Sequence, residues 1–289
     1  MEDVGPLTRL RFQQVRFAAN LCAKLSRHSG IGPLLRAIGR SNLASHALVG
    51  FNTVFPSFEA ANSYARRYHV ASHEHPGNTA THLELNQAPR PSDYPVMFHM
   101  HNLGNELHSV VDIGGSAGNL FYCYDRYLHF GPEFSWTVND VPQNNRIGKQ
   151  LAEEQHEGRL HFVDDLSDCG PVDLALISGA LHYFEALPPE IMKTLRSSPH
   201  HVIINRTPVI EGDTVVTIQD ARFYYAMSPA RILSRKALIQ CMADAGYEKV
   251  DEWTVPDLQL RVPLHPECSA YYYSGFYFRQ NRPANSLPV

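Results

Sequence analysis

Apolar runs alternate with helix-like patterns from His108 to the C-terminus. Short apolar runs predict strands at 110–113, 135–139, 160–163, 172–178 and 201–205. Helical spacing of apolar residues predicts helices at 119–128, 145–155 and 188–195. Strands that alternate with helices in this way predict an α/β fold with a parallel, doubly wound sheet. A helix at 234–245 and strand-like runs at 249–255, 259–262 and 270–279 complete the pattern.

The first 107 residues have a different pattern. Apolar residues recur at roughly helical spacing over 10–25, and residues 1–50 carry seven Arg or Lys against two acids. This predicts a basic amphipathic helix, which either packs on the domain with a solvated basic face or binds a membrane surface or a partner. Residues 51–107 are rich in Pro, Asn and His, with one short helix predicted at 57–68.

Composition and charge exclude several classes of protein. The 289 residues have a net charge of −4, which argues against a dedicated nucleic-acid-binding protein. No apolar run is long enough for a transmembrane helix, and Arg9, Arg11 and Arg16 interrupt any signal-peptide core. The five cysteines form no CxxC pair, which is typical of reduced thiols. We therefore expect a cytoplasmic protein.

Two groups of potential metal ligands occur in the sequence. His69, His73 and His75 lie in a predicted loop, but zinc requires three or four converging ligands and no second ligand group is recognisable. Asp164 and Asp165 are neighbours, but no spacing supplies the third oxygen ligand of a magnesium site. We expect no metal at either place.

The strongest chemical signal is a glycine turn. Residues 110–118 read Val-Val-Asp-Ile-Gly-Gly-Ser-Ala-Gly, so a predicted strand ends in a turn that opens a predicted helix. Such a turn directs backbone N–H groups at a ligand at the carboxyl edge of the sheet. A dinucleotide fingerprint would have glycines where Ser116 and Asn119 stand. Asp112 would repel a pyrophosphate, whereas it would attract an ammonium or a sulfonium.

This D-x-G-x-x-x-G pattern resembles motif I of the class I S-adenosylmethionine-dependent methyltransferases. The resemblance implies a Rossmann-like, mostly parallel seven-stranded sheet preceded by a helical region, with S-adenosylmethionine as the cofactor. It further implies that Asp140 binds the ribose hydroxyls, that an acid at 164–165 contacts the adenine, and that 176–183 lines the methyl-transfer site. The alternative is that these are ordinary residues of a sheet edge. The implied cofactor-binding residues are Asp112, Gly114, Gly115, Ser116, Gly118, Asn119, Asp140, Val141, Asp164, Asp165, Ser178 and Gly179.

A narrower resemblance rests on residues 54–60, 112–115, 204–208 and 273–279. These segments are similar to a poorly characterised bacterial family of methyltransferases associated with surface-polysaccharide or secondary-metabolite genes. This resemblance covers residues from about 50 to 280 and does not include the basic N-terminus. From the whole pattern we expect a helical cover region, 1–104, and an S-adenosylmethionine-binding methyltransferase domain, 105–289. We expect the cover region to lie over the acceptor site or to support a homodimer.

Several residues are candidates for acting on the acceptor. His182 follows the fourth strand, where it serves either as a base or as packing for the cofactor. Arg206 either binds an anionic acceptor or forms an ion pair with Asp164, Asp165 or Glu211.

Aromatic residues and histidines form a second set of acceptor candidates. Tyr183, Tyr224 and Tyr225 line an acceptor pocket or belong to the core. His99 and His101 alternate with apolar residues as in a strand, so they face the site or leave one face exposed.

The resemblance to the methyltransferases implies an enzyme that methylates a small molecule, and we expect the methyl acceptor to be an oxygen of a sugar, carboxylate or phenol. Two other functions are open. One is a nucleotide-dependent oxidoreductase, which Ser116 and Asn119 disfavour. The other is a non-catalytic scaffold of the methyltransferase fold that binds a partner.

Overall fold

The computed structural model describes residues 21, 24–25, 28–39, 50–67, 88–221 and 226–281. Most of the predicted basic helix, the three histidines at 69–75, and Tyr224 and Tyr225 lie outside these residues.

The helices are α1 (Gly32–Gly39), α2 (Phe58–Arg66), α3 (Asp93–Leu103), α4 (Asn119–Leu128), α5 (Pro142–Glu154), α6 (Pro188–Met192) and α7 (Arg235–Asp244). The strands are β1 (Gly50–Phe55), β2 (Ser109–Ile113), β3 (Ser135–Asn139), β4 (Leu160–Val163), β5 (Leu174–Ser178), β6 (His201–Thr207), β7 (Val209–Ile210), β8 (Val215–Ala221), β9 (Ala226–Ser234), β10 (Tyr247–Val255) and β11 (Tyr273–Gln280).

The larger sheet has seven strands in the order β10-β11-β6-β5-β2-β3-β4. β6, β5, β2, β3 and β4 run parallel, and β11 runs antiparallel to both of its neighbours. The central strands β2 and β5 are nearly continuous apolar runs, as expected where both faces of a sheet are covered. The predicted Rossmann-like, doubly wound and mostly parallel seven-stranded sheet is therefore confirmed.

Helices cover this sheet on both faces, which produces two separate halves of the core. Leu176 of β5 packs with Phe121 of α4 on one side. The next residue, Ile177, points to the other side and packs with Leu238 of α7. This alternation follows from the period of two residues along a strand. The helices cover the two faces of the sheet and not the ends of its strands, and the polar residues of the site lie at these ends.

A second sheet of four strands, in the order β1-β8-β9-β7, was not predicted. We call it the cover sheet. Its β1 pairs antiparallel with β8, so a strand from the N-terminal part of the chain joins two strands from the C-terminal third. One face packs against α2, where Ile218 and Met227 contact Ala61. The other face packs on the larger sheet and its connections.

Two predictions of secondary structure are wrong. The strand-like alternation around His99 and His101 lies within helix α3, because the neighbouring apolar residues Val96 and Met100 have helical spacing and are buried. Residues 259–262, all of them described, form no strand and contribute a single bridge to Ala270. Prolines flank this run at 256 and 263, and proline donates no hydrogen bond to a sheet.

Within the described ranges, no helix combines the length and the apolar character that crossing a membrane requires.

Candidate active site

The glycine turn joins β2 to α4 with a backbone that ordinary residues rarely adopt. Gly114 has φ 76° and Gly118 has φ 80°, and Ser116 between them has φ 55°. The Gly114 N–H donates to the carbonyl of Asn139, at the end of β3, over 2.7 Å. A Cβ added at Gly115 would lie 2.5 Å from the Asp112 carboxylate. The turn thus brings backbone close to this carboxylate, which a side chain would prevent.

Asp112 is completely buried at the end of β2. Neither carboxylate oxygen has a hydrogen-bond partner of normal geometry, although the Trp136 indole lies near enough to favour the charged form. Burial, and secondarily the negative charge of Asp140, raise the pKa of Asp112 to about 7, against the smaller opposing effects of Trp136 and Arg206. A buried carboxylate without partners is costly, so this position is suited to a cationic ligand.

Two further polar atoms at the turn lack partners. The Ser116 hydroxyl and the Asn119 side-chain carbonyl are buried, and neither has a hydrogen-bond partner among the described residues. Native proteins rarely leave such atoms unpaired unless a ligand or water satisfies them. The residues that the sequence singled out therefore fit a polar, positively charged group at this turn.

Asp140 and Val141 follow β3, beside the glycine turn. Asp140 Oδ2 accepts a hydrogen bond from the Ser116 N–H at 2.8 Å. Its Oδ1 accepts from the Val141 N–H and from Asn144 Nδ2, each at 2.7 Å. Each carboxylate oxygen has two acceptor positions, so Oδ2 retains one for a ligand hydroxyl. Asp140 thus joins two strand ends and keeps capacity for hydrogen bonding.

The two acids after β4 have different environments. Asp164 is exposed, and its Oδ1 accepts from Asn145 Nδ2 at 2.7 Å. Asp165 caps the short 3-10 turn Leu166–Asp168 by accepting from the Ser167 N–H at 2.8 Å, and this hydrogen bond lowers the pKa of Asp165. Asp165 has a local structural role, which leaves Asp164 as the acid better suited to contact a ligand.

The end of β5 holds His182 and Tyr183 in a second 3-10 turn, Leu181–Tyr183. His182 is 4% exposed, with its ring against those of Tyr183 and Tyr273. The Tyr183 hydroxyl hydrogen-bonds to the side-chain carbonyl of Gln219 in the cover sheet. Burial raises the pKa of both tyrosines well above the ordinary value. His182 is therefore enclosed between the larger sheet and the cover sheet.

Ser178 and Gly179 come just before this turn. The amide of Asn205 donates to the Ser178 hydroxyl at 3.3 Å, which ties the ends of β5 and β6 together. Gly179 has φ 76°, and a Cβ there would contact the Arg206 side chain. The glycine thus lies directly beside Arg206.

Arg206 lies near the end of β6, is 3% exposed, and has φ 54°. Its Nη2 donates to Asp93 Oδ1 at 2.5 Å, and its Nε donates to Ser92 Oγ at 2.9 Å. The ion pair of Arg206 with Asp164, Asp165 or Glu211 that was considered from the sequence is wrong. The partner is Asp93, at the start of α3, where no helix was predicted.

Residues around Arg206 form a polar network that sequence reasoning missed. The Tyr124 hydroxyl also donates to Asp93 Oδ1, at 2.7 Å. The Asn205 amide donates to the Ser92 carbonyl and accepts from the Trp253 indole. The only sequence signal was the polar pair 205–206 directly after an apolar strand. The network fixes the start of α3 against the ends of β6 and β10.

The two histidines of α3 differ in environment. His99 is buried, hydrogen-bonds through Nε2 to Asp251 of β10 at 2.8 Å, and packs against Trp253 and Tyr277. His101 is exposed. Their predicted role in acceptor binding remains a prediction, and His99 has a packing role in addition.

No protein-family model matches this chain, and no curated protein matches it either. The chain is similar in structure to a 1,6-didemethyltoxoflavin-N1-methyltransferase of Burkholderia thailandensis with bound 1,6-didemethyltoxoflavin and S-adenosylhomocysteine. The identity is 16%, the match covers 81% of this chain and 94% of that chain, and the TM-score is 0.49.

Two further solved structures are similar. An O-methyltransferase family protein of Burkholderia thailandensis is 14% identical over 65% of this chain and 56% of that chain, with a TM-score of 0.44. The CcbJ methyltransferase of Streptomyces caelestis is 10% identical over 68% and 92%, with a TM-score of 0.42.

The strand order and the glycine turn of this chain define its architecture. The fold is Rossmann-like, with a seven-stranded, mostly parallel sheet.

Proposed function

We propose that the protein transfers a methyl group from S-adenosylmethionine to an oxygen atom of a small-molecule acceptor. The observation that carries the proposal is Asp112, a buried carboxylate without partners of normal geometry beside a glycine turn. A cationic cofactor satisfies such a group, whereas the pyrophosphate of a dinucleotide would be repelled.

Different residues of the site are assigned to different parts of the cofactor. Asp112 would hold the ammonium end, and Asp140 would hold the ribose through the acceptor capacity that its Oδ2 retains. Asp164 lies at the third strand end, where the resemblance implies contact with the adenine. Ser116 and Asn119 offer the unpaired hydroxyl and carbonyl as further contacts.

S-adenosylmethionine, when bound, supplies a methyl group activated by a sulfonium, and the electron pair of the broken bond stays on sulfur. The protein must align the acceptor oxygen and exclude water. His182 is enclosed at the end of β5, and we assign it as the base that takes the acceptor's proton at an imidazole nitrogen. Arg206 holds α3 against the site through Asp93 rather than offering an unmatched charge to the acceptor.

Calorimetric titration of the full chain with S-adenosylmethionine, S-adenosylhomocysteine and NAD tests the proposal. We expect both sulfur compounds to bind and NAD not to bind. Asp112→Ala and Asp140→Ala should each weaken binding by at least roughly tenfold, since each removes a charged contact. The control Asp213→Asn changes an exposed acid in the turn before β8 and should leave binding unchanged.

Other results would contradict the proposal in distinct ways. Binding of NAD would indicate a nucleotide-dependent oxidoreductase. Binding of none of the three compounds would favour the non-catalytic scaffold.

A further inference from the structure

One face of the cover sheet, which we call its inner face, looks toward the turn that holds His182. Residues directly opposite each other in an antiparallel pair share a face, and Gln219 lies opposite Ser228 while Thr217 lies opposite Ala230. Gln219 and Thr217 are two residues apart on β8, so all four side chains share the inner face. Its direction is fixed by the hydrogen bond between Gln219 and Tyr183.

Two hydroxyls on the inner face lack partners. Thr217 is fully buried and Ser228 is 6% exposed, and neither hydroxyl has a hydrogen-bond partner among the described residues. Burying a hydroxyl without a partner disfavours folding, and an apolar residue of the same shape would avoid this cost. Both hydroxyls flank Gln219, one along its own strand and one on the neighbouring strand. They therefore lie beside the 3-10 turn that carries His182.

The opposite face of the same sheet, which packs on α2, carries apolar and charged side chains. Ile218 and Met227 pack there on α2. The Arg231 guanidinium lies 5.7 Å from the centre of the Phe58 ring of α2, and Asp220 shares the face of Ile218 by strand alternation. The charged residues of β8 and β9 that the structure describes are thus on the α2 side. The inner face offers neutral hydrogen-bonding groups.

The charges around Arg206 are also balanced. Arg206 is paired with Asp93, and the nearby Arg90 lies among Arg206, Asp93 and Asp257. Two cations and two anions leave no net positive charge for an acidic acceptor. Asp112 adds a negative charge when ionised, which would repel an anion further.

We infer that the acceptor is a neutral molecule, bound through its own hydroxyl, carbonyl or amide groups by the hydroxyls of Thr217 and Ser228 on the inner face of the cover sheet. The inference rests on the proposed function and narrows its acceptor class: it disfavours a carboxylate and favours a neutral sugar or phenol. A hydroxyl both donates and accepts, so the two residues suit a polyhydroxylated or phenolic ligand.

Binding of paired probes to the full chain saturated with S-adenosylhomocysteine tests this inference. One pair is 4-hydroxybenzamide and 4-hydroxybenzoate, and the other is methyl α-galactopyranoside and galacturonate. We expect the neutral member of at least one pair to bind roughly tenfold or more tightly than its anionic partner, because burying an unmatched carboxylate is costly. Titration calorimetry measures each affinity.

Variants that remove the two hydroxyls test whether they contribute to the affinity for the neutral probe. Thr217→Val with Ser228→Ala should weaken binding of the neutral probe by roughly tenfold, since each buried hydroxyl contributes a hydrogen bond. The matched control is Thr254→Val with Ser274→Ala, a Thr–Ser pair directly opposite each other in β10 and β11. It should leave probe binding unchanged. The single variant Thr217→Val preserves side-chain shape and serves if the double variant does not fold.

Thermal unfolding separates a binding role from a structural one. Thr217→Val should not lower the melting temperature of the unliganded protein, because the hydroxyl has no partner to lose. Tighter or equal binding of the anionic probes, unchanged binding in the variants, or no binding of either neutral probe would overturn the inference. Failure of S-adenosylhomocysteine to bind the wild-type chain would instead overturn the proposed function.

Discussion

At the scale of single residues, Asp112 couples the ionisation of the site to the stability of the fold. The pKa of its carboxyl is about 7 in the folded protein, because burial and the charge of Asp140 disfavour the ionised form. In the unfolded chain the same group has its ordinary pKa of 3.8. Between these values the unfolded state loses its proton first, so the free energy of unfolding falls as pH rises. The loss levels off above about pH 7.

Asp112→Asn should therefore be more stable than the wild type at pH 8, by at most about 4 kcal/mol, and equally stable near pH 3. The reason is that asparagine carries no charge to bury. S-adenosylhomocysteine should bind the wild type more tightly as pH rises to about 7, because its ammonium pairs with the ionised carboxylate. Urea unfolding and calorimetry at several pH values measure both effects. A stability difference that does not change with pH would contradict the assignment.

Substitution of Gly115 tests whether the close approach of the glycine turn to Asp112 is needed for binding and stability. Gly115→Ala would place a Cβ 2.5 Å from the Asp112 carboxylate, so the turn or the acid must move. We expect S-adenosylhomocysteine to bind at least roughly tenfold more weakly and the protein to lose about 1–3 kcal/mol of stability. In the control, Gly131→Ala, the added Cβ has no described neighbour within 4 Å, so stability should change by about 0.5 kcal/mol or less. Equal effects of the two variants would show that the close approach is unimportant.

The residues of the glycine turn could be predicted from sequence because turn, acid and strand are contiguous in the chain. Asp112 and Gly118 are six positions apart, and local chemistry decides their arrangement. The partner of Arg206 could not be predicted in this way. Asp93 is far away in the chain, and Asp164, Asp165 and Glu211 were chemically equivalent choices. The hydroxyls of Thr217 and Ser228 became conspicuous only through their burial without partners.

At the scale of elements, the ion pair between Asp93 and Arg206 attaches α3 to β6. Both side chains are nearly inaccessible to solvent. Breaking a buried pair on one side leaves an uncompensated charge, whereas replacing both partners by apolar groups is much less harmful. The pair therefore makes the position of α3 depend on the end of β6, next to the proposed cofactor site.

Asp93→Asn should destabilise the protein by about 3–5 kcal/mol, since Arg206 would remain buried without a counter-charge. Asp93→Asn with Arg206→Met should recover part of this loss. Glu248→Gln is the control, because the pair of Glu248 with Arg279 is half exposed and should contribute about 1 kcal/mol or less. Urea unfolding at pH 7 gives each free energy. Equal losses in the Asp93 and Glu248 variants would exclude the role assigned to burial.

Elements with strong period-two or helical patterns were predicted well. The predicted limits of β3 and β4 are those of the structure, and α4 also begins and ends as predicted. Helix α3 was missed because polar residues and Pro95 interrupt its apolar spacing, although proline is tolerated in a first turn. The cover sheet was missed because β1 lies in the Pro-, Asn- and His-rich region and pairs with a strand far away in the chain, which no local pattern indicates.

At the scale of the whole molecule, the two sheets share one interface. Ile232 of the cover sheet packs with Val255 and Tyr273 at the ends of β10 and β11, which makes an apolar contact beside the polar site. The proposed cofactor residues lie at strand ends of the larger sheet, and the proposed acceptor residues Thr217 and Ser228 belong to the cover sheet. The division of the chain at residue 104 remains a prediction, although β1 on one side of it pairs with β8 on the other.

The pairing of β1 with β8 has a consequence for the order in which the chain folds. Phe55 meets Val216 across roughly 160 intervening residues, and closing so long a loop costs more entropy than the local contacts of β2, β3 and α4. During synthesis, β1 emerges long before its neighbour and must wait for it. The glycine turn and the ends of β3 to β6 are complete earlier. We therefore expect the strand ends from β2 to β6, with the glycine turn, to assemble before β1 pairs with β8.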